Sequence, residues 1–265
     1  MKPYKDIVID FTGLDNLKAE AKANEGVNPG CMAIHYWSGR MNLAIEQAGK
    51  QAQRLGYGFV GDGWPCESDQ SMALQGDTRN LQNAFLEHHY RDAGDAIYQA
   101  NTILDHMNND LERTIIADIG GGYGRLAIPL LYYLRPRITY IDIDYVPVSL
   151  LIAPQFVCQA INAVVDIRLI ASAEFIALPA WKIEDLKDTR FNAFVSVHSM
   201  QEMTREAVLF YLHFIGEHAA DSAIFYCVNI GADEFPFPSS WTLISRKPYP
   251  INRDGAYYEM IFRVK

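Results

Sequence analysis

Cysteine is scarce in this chain of 265 residues: Cys31, Cys66, Cys158 and Cys227 stand far apart, with no CxxC pair. That spacing argues against a disulfide framework and predicts reduced, mostly buried thiols. No apolar run approaches the length of a membrane span, and no apolar secretory segment follows Met1–Asp6, so the cytoplasm is the expected location. Positive charge is in deficit: 23 Lys and Arg stand against 32 Asp and Glu, a net charge of -9. The deficit argues against nonspecific binding to nucleic acid or an anionic membrane, and leaves small molecules as the expected partners. A local basic pocket for a small anionic acceptor stays compatible with it. Internal repeats and low-complexity tracts are also missing.

What is present divides near residue 110. Residues 1–110 carry few strand signals and read as a mainly helical, loop-rich region, a candidate cap over an acceptor pocket. Helices are expected at Met41–Leu55, Leu81–Tyr90 and Ala96–Leu111, the last with Ile97, Ala100, Ile103, Leu104 and Met107 at helical spacing. Between them, Gly56–Pro65 is a turn-rich aromatic segment. Residues 111–265 alternate strands and helices. Strands are expected at Thr114–Ile119, Ile138–Ile143, Phe191–Val197 and Ser222–Asn229. Asp166–Ile170 and Phe175–Leu178 compete for another, and Ser240–Ser245 and Tyr257–Val264 suit an antiparallel end of the sheet. Helices are expected at Arg125–Leu134, Val148–Ala163 and Thr204–Ala219, with Pro129 and Pro154 read as early prolines and Thr204 as a cap. This alternation implies an α/β fold with a mostly parallel sheet, and ligands bind such sheets beyond the carboxyl ends of the strands.

At one such end, Asp118 and Ile119 lead into Gly120, Gly121, Gly122, Tyr123 and Gly124. Glycines there permit a tight turn and close backbone approach to a ligand. The next strand ends in Asp142, Ile143 and Asp144, and a carboxylate at that position accepts both ribose hydroxyls of a nucleoside cofactor. Asp142 fits best if the strand ends near Ile141. The nicotinamide fingerprint is broken by Arg125 when counted from Gly120, and survives as a displaced match when counted from Gly122 to Ala127. Asp118, set between apolar residues, suits the ammonium and sulfonium end of S-adenosyl-L-methionine (AdoMet), which needs no pyrophosphate cradle. Arg125 reads as a solvent-facing residue.

Together with Tyr140–Asp144 and the segment Val197–Met203, which contains His198, Ser199, Met200, Gln201 and Glu202, the glycine turn resembles the sugar O-methyltransferase family, within the class I AdoMet-dependent methyltransferases. The resemblance spans roughly residues 114–230. It implies a Rossmann-like class I methyltransferase fold with an antiparallel C-terminal strand. It also implies cofactor roles for Asp118, Gly120, Gly122, Tyr123 and Asp142. Two departures stand out: Asp142-Ile143-Asp144 replaces an Asp-Leu-Pro sequence, and His198 replaces an asparagine.

Methyl transfer needs an in-line nucleophile and, for a hydroxyl acceptor, often a general base. His198 and Glu202 are the candidate catalytic residues; Gly121, Ser199 and Gln201 complete the candidate cofactor contacts. In the N-terminal region, His35–Arg40 is a candidate acceptor contact, and His88 with Asp92 shares a helix face without a third metal ligand. Some sugar methyltransferases require magnesium, but this sequence assigns no metal site. The alternatives are N-methylation, nicotianamine-type aminobutyl transfer, an AdoMet-binding regulator without turnover and an NAD-dependent oxidoreductase.

Overall fold

The computed structural model describes residues 12–24, 96–107, 112–134, 136–161, 174–231, 234–250 and 257–265. The elements are numbered among these residues. The expected helices at Met41–Leu55 and Leu81–Tyr90, the Gly56–Pro65 segment, His35–Arg40, His88, Asp92 and Asp166–Ile170 lie outside them.

Seven strands form one sheet: β1 (Thr114–Ile119), β2 (Ile138–Asp144), β3 (Phe175–Pro179), β4 (Phe191–Val197), β5 (Ala219–Ile230), β6 (Thr242–Pro248) and β7 (Tyr257–Arg263). Their order is β3-β2-β1-β4-β5-β7-β6. β1 to β5 pair in parallel, and β7 runs antiparallel between β5 and β6. This is the expected Rossmann-like α/β fold, mostly parallel with an antiparallel C-terminal strand. One detail differs: β6 pairs antiparallel with β7 and so runs with the parallel set. The strand order reverses beside β1, where β2 lies on one side and β4 on the other, which opens a crevice at their carboxyl ends.

Near-continuous apolar runs make the central strands, because helices cover both of their faces, whereas the edge strand β6 is mostly exposed. One face packs Ile116, Tyr140, Val195, Tyr226 and Ile261 against helices α1 (Leu14–Ala23), α2 (residues 96–106), α3 (Ala127–Leu134) and α4 (Pro147–Ile161). The other packs Ala117, Ile141, Phe194, Phe225 and Phe262 against α5 (Arg205–His218) and a 3-10 segment, Ala180–Leu186. Residues next to each other in β1, such as Ile116 and Ala117, fall on opposite faces, as strand alternation requires. Thr204 caps α5 as expected, its hydroxyl accepting from the Ala207 amide at 3.2 Å.

Helix α1 has no counterpart among the sequence expectations. Leu14 and Ala21 bury one side of it in the first core, and Glu20 accepts from the Trp181 indole at 3.2 Å and pairs with Lys182 at 2.8 Å. Pro154 lies in the middle of α4 and not near its start, because the helix begins at Pro147, where a fixed φ and a missing N–H suit the first position. Cys227 is buried and Cys158 exposed, so the thiols are less uniformly buried than expected. Among the described residues no helix is long and apolar enough to cross a membrane.

Candidate cofactor site at the glycine turn

The pairing of β1 with β2 sets Asp118 directly beside Asp142. Asp142 and Asp144 are two residues apart on one strand, so both side chains leave the same face. Three carboxylates therefore converge on the glycine turn, and all are nearly sealed from solvent: Asp118 is 3% exposed, Asp142 1% and Asp144 5%.

The turn is built around them. Gly120, Gly122 and Gly124 have φ of +75°, +67° and +82°, the left-handed region that favours glycine. Gly121 is glycine for a different reason: a Cβ there would lie 2.6 Å from Asp142 Oδ1 and 2.7 Å from Asp118 Oδ2. The Gly121 amide donates to Asp142 Oδ1 at 3.1 Å, and the Gly122 amide donates to Asp144 Oδ2 at 3.0 Å.

Hydrogen bonding separates the two β2 aspartates. Asp144 uses its second oxygen to accept from the Val146 amide at 2.7 Å, one residue before α4. Both of its oxygens thus tie the turn to the start of that helix. Asp142 Oδ2 is buried and has no hydrogen-bond partner. A buried acceptor of this kind fits a ligand hydroxyl, so the unpaired oxygen sits where a ribose is expected. Asp118 accepts from the Tyr140 hydroxyl.

Mutual proximity and burial shape the charge of this cluster. Burial raises Asp118 to about 7, against the pull of the Tyr140 hydrogen bond and the Arg125 charge. Burial likewise raises Asp144 to about 6, opposed by the amides of Val146 and Gly122. Asp142 is held well above the usual carboxylate range by burial, then by Asp144 and Asp118.

Across the crevice, the β4 end carries His198 to Glu202. His198 adopts φ +59°, its amide donates to the Val228 carbonyl at 2.7 Å, and its ring packs 4.5 Å from the Tyr257 ring centre. Its Nε2 is buried without a partner, and burial lowers its pKa to about 4, so the ring is neutral at pH 7. Burial raises Glu202 to about 8, with Asp144 adding to it, so Glu202 is mostly protonated at neutral pH. Ser199 donates to the Ile119 carbonyl and lies 2.9 Å from the Ser196 hydroxyl, so it binds the β4 end to the β1 end. Gln201 accepts from the Ile230 amide at 2.7 Å, and its Nε2 lies 3.5 Å from the Tyr257 hydroxyl. Both polar side chains, expected to touch cofactor, hold protein groups together. Tyr123 packs edge-on against Phe156 at 5.1 Å.

One polar residue, Asn229, escaped the sequence reading, and one, Arg125, sits elsewhere than expected. Asn229 is fully buried; its amide nitrogen donates to the Ser196 carbonyl at 3.1 Å, and its oxygen accepts from the Gln201 amide at 3.2 Å. Arg125 is half-buried, not solvent-facing, because its guanidinium donates to Gln99 of α2 at 3.3 Å. A polar residue following a strand on the ligand side was the available signal for Asn229; nothing local pointed to the partner of Arg125. Among the described residues there is no group of three His, Cys, Asp or Glu side chains arranged to hold a metal ion.

No protein-family model and no curated protein matches this chain. Solved structures do resemble it in part. TrmN from Thermus thermophilus matches at 12% identity over 62% of this chain, with a TM-score of 0.48. M. capricolum TrmK, solved in complex with its natural cofactor product S-adenosylhomocysteine, matches at 14% identity over 63% of this chain and 68% of its own, with a TM-score of 0.45. The mitomycin 7-O-methyltransferase MmcR matches at 12% identity over 96% of this chain and 73% of its own, with a TM-score of 0.43. The first match takes in 47% of TrmN, about half of that protein's length.

Proposed function

We propose that this chain binds AdoMet at the glycine turn and transfers its methyl group to a hydroxyl of a small molecule, with a sugar as the leading acceptor class. The observation that carries the reading is the cluster of three buried carboxylates around the turn, with one unpaired oxygen on Asp142. A cationic nucleoside fits such a cluster.

In this reading Asp142 takes the ribose hydroxyls, Asp118 takes the ammonium group, and the backbone of Gly120 to Gly122 lies along the ligand. AdoMet, when bound, supplies the electrophilic methyl carbon. Ser199, Gln201 and Asn229 fix the loop after β4 and so fix His198. The neutral His198 ring offers its buried Nε2 as the proton acceptor for the hydroxyl. Glu202, protonated at neutral pH, serves as a hydrogen-bond donor before it serves as a base. Tyr123 closes the turn against α4. Magnesium dependence stays unassigned, since no metal-holding group occurs among the described residues.

Calorimetric titration with AdoMet, S-adenosylhomocysteine and NAD tests the cofactor. Binding of the first two without the third supports the reading, and binding of NAD alone overturns it. Transfer from labelled AdoMet to a panel of sugars and other hydroxyl acceptors tests the chemistry. S-adenosylhomocysteine as by-product means methyl transfer, whereas methylthioadenosine means aminobutyl transfer.

A further inference from the structure

AdoMet ends in an α-amino acid, whose ammonium and carboxylate groups sit on one carbon. If Asp118 faces the ammonium, a cation close by would complement the carboxylate. Among the described residues, the cation that acts on Asp118, on Tyr140 and on His198 is in each case Arg125. Burial dominates for Asp142 and Asp144, followed by Asp144 and Asp118 for the first and by the amides of Val146, Gly122 and Tyr145 for the second. Arg125, directly after the last glycine of the turn, is thus the cation that Asp118 and His198 share.

Its position is built. Arg125 follows the last glycine of the turn and donates to Gln99 Oε1 at 3.3 Å. Gln99 is fully buried in α2, and its Nε2 donates to the Tyr249 hydroxyl at 2.7 Å. Tyr249, just beyond β6, donates its amide to the Tyr257 carbonyl at 3.0 Å, and its ring stands edge-on to His198. A relay from the last hairpin through α2 thus holds a half-buried guanidinium beside the glycine turn. The planar fork of a guanidinium matches a carboxylate in two parallel hydrogen bonds.

The geometry points to Arg125, oriented by Gln99, as the residue that binds the carboxylate of the cofactor's amino-acid end. This rests on the AdoMet reading, and the test separates the two. The ligands are AdoMet, decarboxylated AdoMet, which keeps the ammonium and sulfonium but lacks the carboxylate, and 5′-methylthioadenosine, which lacks the whole amino-acid end. The wild-type protein is expected to bind AdoMet about 10–100-fold more tightly than decarboxylated AdoMet, the range for a charge-assisted pair. Arg125→Met is expected to erase that preference while leaving the Kd for 5′-methylthioadenosine within about twofold, and Arg125→Lys to restore part of it. Gln99→Leu is expected to reduce the preference without abolishing it. A wild-type protein that binds AdoMet and decarboxylated AdoMet equally overturns the assignment, whatever the variants do. So does an Arg125→Met protein that loses affinity for all three ligands in the same proportion. If the wild type binds none of the three, the AdoMet reading itself fails.

Discussion

Replacing Gly121 by alanine tests the site at its most crowded point. The added methyl would sit 2.6 Å from Asp142 Oδ1 and 2.7 Å from Asp118 Oδ2. Neither carboxylate has room to retreat: each is short, buried and rooted in the interior of the sheet beside the other. Moving them breaks the Gly121 amide bond to Asp142 and the Tyr140 bond to Asp118. Two such bonds at about 1 kcal/mol each, added to an overpacking cost of about 1–3 kcal/mol, give a destabilisation of about 3–5 kcal/mol. For a chain of this size that is a fall in Tm of roughly 6–20 °C. The same displacement disorders both carboxylates assigned to the ligand, so AdoMet affinity should fall by more than the stability change alone would predict. Two other glycines calibrate the result. Gly122→Ala meets no protein atom within 4 Å, and its φ of +67° costs about 1–2 kcal/mol. Affinity lost in that variant beyond its strain therefore reports a ligand passing the turn. Gly216→Ala, in the last turn of α5 with no described atom within 4 Å, should stabilise by at most about 1 kcal/mol and leave binding unchanged. Thermal melts and calorimetric titration read all three. A Gly121→Ala protein with wild-type Tm and wild-type AdoMet affinity would refute the reasoning.

Asp142→Asn should separate binding from stability. It removes a buried carboxylate with an unpaired oxygen, so the free protein should hold or gain stability while AdoMet affinity drops about tenfold or more. Denaturation and titration on the same sample check this, and unchanged affinity would dismiss Asp142 as the ribose ligand. Stability of the free protein should also fall as pH rises from 6.5 to 8.5. Asp118 at about 7 is raised, so its contribution is complete below the ordinary carboxylate range and disappears as it ionises; Asp144 at about 6 has lost most of its contribution before the window opens. Glu202 at about 8 acts in the same direction, weakened by solvent screening. His198, lowered to about 4, costs stability only below about 6.5 and does not interfere in this window. Each proton held in excess by the folded state gives a slope of about 1.4 kcal/mol per pH unit. Urea denaturation at both ends of the window measures it, and a flat or rising profile would contradict the buried-acid account.

The strands were legible because a sheet covered on both faces needs unbroken apolar runs, and Thr114–Ile119 and Phe191–Val197 match to the residue. The glycine turn and its acids were legible because backbone chemistry and strand ends are local properties. The roles of Asp142 and Asp144 were not separable by register, because residues two apart on a strand share a face. What distinguishes them is the amides of Gly121, Gly122 and Val146, which only the folded turn brings near. Arg125 was misread for a related reason: its partner Gln99 lies on a helix 26 residues earlier. Ser199 and Gln201 have the residue types of ligand contacts, yet their bonds to Ile119 and Ile230 arise from strand ends far apart in sequence. Helix α1 escaped because its apolar stripe is little more than Leu14, Leu17 and Ala21.

Helices α1 and α2 precede the first strand, yet Leu14, Ala21, Ala100, Ile103 and Met107 belong to the same core as Ile116 and Tyr140. A fragment starting at residue 111 would keep every motif and every described strand, but it would bare the part of one core that α1 and α2 cover and lose the glutamine that holds Arg125. The sheet with its motifs is therefore not a portable module. Swapping or trimming the N-terminal region to change acceptor preference has to retain Leu14–Ala23 and residues 96–107 as part of the scaffold, and leave diversification to the residues between them.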